Sequence, residues 1–122
     1  MKQFIRGKPI RYGFKFRCMC TPCGYLIKFD PYVGAHENRE VGQTLGATVV
    51  HRLCTGFLSP ARIIFIDNFF SSIGLLESLK EEHIYVIGTI RSDRIEKAPL
   101  QNLQKKERGS YHALREEDSG IN

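Results

Sequence analysis

The stretch Ile63–Ser72, Ile-Ile-Phe-Ile-Asp-Asn-Phe-Phe-Ser-Ser, constrains the fold of this chain more than any other. Four apolar residues in succession, Ile63, Ile64, Phe65 and Ile66, run without alternation into the carboxylate of Asp67. A strand apolar on both faces is expected to be covered on both, as at the centre of an α/β sheet. An aspartate at its carboxyl end delivers a charge to the edge where open α/β sheets bind ligands. Residue physics alone leaves Asp67 either a strand-end turn residue or a site. Asn68 reads as ordering the turn. Phe69 and Phe70 read as core residues under the next helix more readily than as stacking platforms.

Around this segment the pattern is mixed α/β. Residues 10–20 alternate, with Ile10, Tyr12, Phe14, Phe16, Cys18 and Cys20 on one face and Arg11, Lys15 and Arg17 on the other. That periodicity predicts one half-buried strand. Thr21-Pro22-Cys23-Gly24 predicts a turn, and residues 25–33 the returning strand of a hairpin that ends or bulges at Pro31. Residues 34–43 are polar and predict a loop. From Gln43 to Cys54, Leu45, Val49 and Leu53 recur every four residues, which predicts an amphipathic helix capped near Gly56. The strand at 62–67 follows, then a helix from Ser71 or Ser72 to about His83, then a strand over 84–90. Beyond Arg94 the chain is polar and reads as a disordered tail. The expected organisation is thus a core over 1–94 and a tail over 95–122.

A chain of 122 residues with 42% hydrophobic and 25% charged residues has room for one globular domain at most. No run approaches the apolar length of a membrane span, and the basic amino end lacks a secretory segment, so neither a membrane partner nor secretion is expected. Cys18, Cys20, Cys23 and Cys54 therefore read as reduced thiols, and the unpaired Cys18/Cys20/Cys23 cluster lacks the second doublet of a structural zinc site. No metal is expected at the cysteines. His36, His51, His83 and His112 are scattered and carry no assigned chemistry. The net charge of +5 is a mild cationic bias. Arg11, Lys15 and Arg17 on one strand face, with Arg91 and Arg94 after the last strand, are the candidates for contact with a polyanion, against the alternative of a merely solvated face.

A series of short segments resembles the transposase domain of the piggyBac family and its domesticated descendants. It runs through Lys8-Pro9-Ile10-Arg11-Tyr12-Gly13-Phe14-Lys15, Gly24-Tyr25, Tyr32-Val33-Gly34, Leu45-Gly46-Ala47 and Val49-Val50. It continues through Phe65-Ile66-Asp67-Asn68-Phe69-Phe70-Ser71-Ser72, Gly88-Thr89-Ile90-Arg91-Ser92-Asp93-Arg94 and Lys105-Lys106-Glu107-Arg108-Gly109-Ser110. Each piece is weak by itself; their order and spacing over nearly the whole chain are specific.

The resemblance implies a ribonuclease H-like core, here incomplete, in a nuclear protein that acts on DNA and oligomerises when intact. Such cores use three aspartates to hold divalent metal such as magnesium, a cation that prefers carboxylate oxygen, and so cut and join DNA at transposon ends. The family's second aspartate, in its D-N-F-F motif, corresponds to Asp67. The first belongs before the segment that begins at Lys8 and the third well beyond Ser110, and neither has a counterpart in this sequence. Its zinc module has none either. The expectation is a transposase-derived fragment, inactive by itself, that keeps Asp67 alone of the three. The alternatives are a domesticated, non-catalytic nuclear module for DNA or protein binding, and an unrelated small α/β binding protein.

Overall fold

Local chemistry sets the elements of this computed structural model, which describes residues 2–34, 44–95, 98–103 and 105–122. Of the 34–43 segment predicted as a loop, residues 35–43 lie outside the described residues. Two compact units divide at Ser59/Pro60, inside the segment expected as one core.

In the first unit, Met1–Ser59, the strands β1 (Gln3–Phe4) and β2 (Tyr12–Gly13) form a two-residue antiparallel ladder, with the Phe4 and Tyr12 rings 5.4 Å apart. Next comes an antiparallel hairpin of β3 (Phe16–Cys20) and β4 (Leu26–Pro31), with a register shift between Met19 and Cys20. Its turn is closed by the Thr21 hydroxyl, which accepts from the Tyr25 amide at 3.0 Å, and by Gly24 at φ 88°, a left-handed conformation natural to glycine. Helix α1 (Leu45–Cys54) starts where the Thr44 side chain accepts from the Ala47 amide. It buries Ala47, Val49, Val50, Leu53 and Cys54 and packs on β3 and β4.

Two expectations are corrected here. Residues 10–20 are not one strand, because Tyr12 and Gly13 pair backwards with Gln3 and Phe4 while Phe16–Cys20 pair forwards with β4. The covered face is also the opposite one. Phe16, Cys18 and Cys20 are exposed, whereas Arg17 is 4% exposed. Alternation defines two faces without saying which is covered. Helix α1 lies on the face shared by Arg17 and its register partner Asp30, and the charges are compensated there. Arg17 and Arg52 each donate to Asp30, at 2.9 and 2.7 Å.

The second unit, Pro60–Asn122, is a β-α-β crossover. Strands β5 (Arg62–Ile66) and β6 (Ile84–Gly88) are parallel, in register from Arg62↔Ile84 to Ile66↔Gly88. Between them α2 (Ile73–Glu81), capped by the Ser72 hydroxyl on the Leu75 amide, packs on β6 through buried Leu75 and Leu79 beside Ile84. The expectation that β5 is covered on both faces does not hold. Ile64 and Ile66 are half-buried, but Ile63 and Phe65 point outward with Tyr85 and Ile87 of β6, and Phe65 is 73% exposed. A two-stranded sheet with one helix has one covered face. A short 3₁₀ turn at Ser92–Arg94 follows β6. Beyond it the described residues form turns and irregular chain, without helix or strand among them. No helix among the described residues is long and apolar enough to cross a membrane.

Candidate functional site

Asp67 stands exposed immediately after β5, at the carboxyl end of the parallel pair, where the sequence places it. Its carboxylate is held by the chain that follows: Oδ1 accepts from the Phe69 amide at 2.8 Å, an Asx-type turn. Its carbonyl oxygen accepts from the Phe70 amide at 3.1 Å, the Ser71 amide at 3.3 Å and the Ser71 hydroxyl at 2.9 Å. The Phe69 and Phe70 rings, both half-buried, meet edge-on with centroids 5.0 Å apart. Ser72 then begins α2, so one turn converts strand into helix and presents a carboxylate at the junction.

A second segment brackets this turn. After β6, Arg94 reaches back, and the two N–H of its Nη1 are shared among the carbonyl oxygens of Asn68 and Phe69, each at 3.2 Å, and of Ser71 at 2.9 Å. Arg94 is itself placed by its amide donating to the Arg91 carbonyl at 2.9 Å. At the top of the strand pair, Gly88 lies opposite Ile66. A Cβ there would stand 2.4 Å from the Ile66 carbonyl oxygen and 2.9 Å from its Cγ1, closer than real Cβ atoms come. Glycine is what lets β6 pass this close to the residue preceding Asp67.

Of the residues read as polyanion contacts, Arg94 is thus engaged with the Asp67 turn, while Arg91 is exposed beside it. In the first unit Arg11 is exposed. Lys15 and Arg17 both lie near the Tyr32 ring, their charged ends 5.5 and 5.0 Å from its centroid. Arg17 is buried with Asp30 and does not belong to an outward stripe. Cys18, Cys20 and Cys23 are exposed and Cys54 is buried. The Thr21 hydroxyl, 3.0 Å from the Cys23 sulfur, followed by the Tyr25 amide, holds that thiol below the usual range. Among the described residues no three His, Cys, Asp or Glu side chains gather as a metal-ligand set.

Sequence reasoning missed Gly88 and the inward use of Arg94. A glycine ending a β-branched strand was the legible signal for the first. The second had none, since 27 positions separate Asp67 from Arg94.

The chain has relatives among known proteins. The profile of the family described as Transposase IS4 matches residues 1–120. The chain is 42% identical over 118 residues to the human PiggyBac transposable element-derived protein 3, covering 90% of this chain and 20% of that protein. It is 36% identical over 119 residues to the human PiggyBac transposable element-derived protein 2, with the same shares covered. A solved structure described as the cryo-EM structure of the piggyBac transposase synaptic complex with hairpin DNA matches with a TM-score of 0.66 and 30% identity, over 90% of this chain and 23% of that one. The chain spans about a fifth of the length of each of these two curated relatives.

Proposed function

The chain belongs to the piggyBac family of transposases, and from that premise we propose that it is part of a ribonuclease H-like catalytic core whose second metal-binding carboxylate is Asp67. One observation carries this reading: the D-N-F-F segment forms a tight turn at the carboxyl end of a parallel strand and leaves the Asp67 carboxylate exposed. That is the position from which a sheet of this kind offers ligands to a substrate.

A divalent cation is the group this chemistry implies, and an aspartate oxygen is a suitable hard ligand for it. At this turn the donor described is the exposed Asp67 carboxylate, and no cluster of three ligand-type side chains gathers among the described residues. One carboxylate does not amount to a two-ion centre, so the chain by itself does not fit the group, and no step of DNA cutting is assigned to it. It contributes one carboxylate to a centre completed by other carboxylates. Exposed Arg11 and Arg91, with Lys15, are the side chains proposed to meet DNA phosphates in the nucleus, by non-specific charge attraction. Arg17 is withdrawn from that set by its burial.

Two experiments test this. The purified chain, given magnesium or manganese and a transposon-end duplex, is expected to produce no nicks above background; nicking abolished by Asp67→Ala would overturn the reading of inactivity. Residues 60–95 grafted into the corresponding segment of an active piggyBac transposase are expected to support excision, and Asp67→Ala in the graft to abolish it. Excision that survives Asp67→Ala would refute the assignment. The single carboxylate also favours a second reading, a non-catalytic nuclear DNA-binding module. DNA retention by the chain that is indifferent to Asp67→Ala but lost with Arg11→Ala and Arg91→Ala would support it.

A further inference from the structure

The hydrogen bonds around Asp67 and Arg94 share a pattern. The Asn68–Phe69 peptide unit gives its N–H to the Asp67 carboxylate and its carbonyl oxygen to Arg94. The next unit, Phe69–Phe70, does the same, with its N–H to the Asp67 carbonyl and its oxygen to Arg94. In a trans peptide the N–H and C=O point in opposite directions. Two successive peptide dipoles therefore lie between a cation at one end and the oxygens of Asp67 at the other. Withdrawal of electron density at the carbonyl strengthens the N–H as donor, as in any hydrogen-bond chain. The third bond, to the Ser71 carbonyl, ties the same guanidinium nitrogen to the residue just before the Ser72 cap of α2.

We propose that Arg94 is a positioning residue for Asp67, acting through these two peptide units and not by direct contact, and that this is its role in preference to phosphate binding. The functional meaning of the role rests on Asp67 being the transposase carboxylate proposed above. The geometry of the turn does not, so the two fail separately.

The test is nuclear magnetic resonance on the full chain, without metal or DNA. In the unsubstituted chain, scalar couplings across hydrogen bonds are expected from the Phe69 amide nitrogen to the Asp67 carboxyl carbon, and from Arg94 Nη to the carbonyl carbons of Asn68, Phe69 and Ser71. Absence of the Arg94 couplings would overturn the proposal before any substitution. Arg94→Met keeps the apolar stem and removes every donor. It is expected to erase the Phe69–Asp67 coupling and to speed Phe69 amide exchange about tenfold, the protection of one charge-assisted hydrogen bond. Arg94→Lys, which keeps the charge and some donors, is expected to restore part of both. Leu79 and Ile84 amide protection reports whether the crossover unit persists. If Arg94→Met strips that protection too, Arg94→Lys decides, and a Lys variant that is folded yet as loose as a donor-less turn refutes the proposal. So does an Arg94→Met chain whose Phe69 coupling and exchange are unchanged. Failure of the grafted Asp67 variant to lose excision, with these couplings intact, would instead refute the catalytic reading alone.

Discussion

Gly88 and Asp30 do at single positions what no neighbour could do for them. At Gly88 a methyl group would lie 2.4 Å from a carbonyl oxygen of the adjacent strand, and backbone cannot yield as a flexible side chain can. Gly88→Ala is expected to destabilise the crossover unit by about 1–3 kcal/mol, in the range of overpacked sites, and to displace the Ile66 and Phe69 amide resonances; urea unfolding and an amide spectrum read both. Asp30 compensates the buried Arg17 as well as Arg52. Asp30→Ala leaves a guanidinium buried without its carboxylate, and about 3 kcal/mol of stability should be lost, measured by urea unfolding followed through Tyr32. Cys23 offers one pH-dependent readout. Because the Thr21 hydroxyl favours the thiolate, alkylation of Cys23 should rise with pH at a lower midpoint in the native chain than in urea, and Thr21→Val should move the native midpoint back up. The place of Asp67 at the strand end could be read from sequence at this scale, because the apolar run stops directly before it. The burial of Arg17 could not: its partner Asp30 lies 13 residues away and α1 further still.

Strands and helices follow the same division between what is local and what is not. Both helices lie where apolar spacing and cap residues put them, and Ser72→Ala should cost about 1 kcal/mol by loss of the Leu75 cap, seen as a lower urea midpoint for the crossover unit. The start at Thr44 and the end near Cys54 follow from chemistry within one turn. The strands were less legible because pairing is not local. The alternating run from Ile10 to Cys20 is divided between two ladders, and the apolar run of β5 records that a strand tolerates cover on both faces without saying what provides it. On the outward face, Phe65→Ser should leave stability within about 0.5 kcal/mol, as for surface substitutions elsewhere. Against Ile64→Ser on the other face, which is half-buried, the unfolding midpoints should differ plainly.

At the level of the molecule, two units are each organised around a modest core: α1 against the hairpin, and α2 against β6 of the parallel pair. The mixed α/β class and the transposase kinship could be read from ordered motifs, while the division at Ser59/Pro60 could not, since Ser-Pro marks a turn as readily as a boundary. The face bearing Ile63, Phe65, Tyr85 and Ile87 is apolar and uncovered in the second unit. In a living cell such a face is an address. Chaperones and proteases recognise extended apolar surface, and a polypeptide that shows it is triaged according to how long it stays bare. A product that contains this unit with β5 and β6 left bare is therefore expected to be cleared faster than one in which that face is covered.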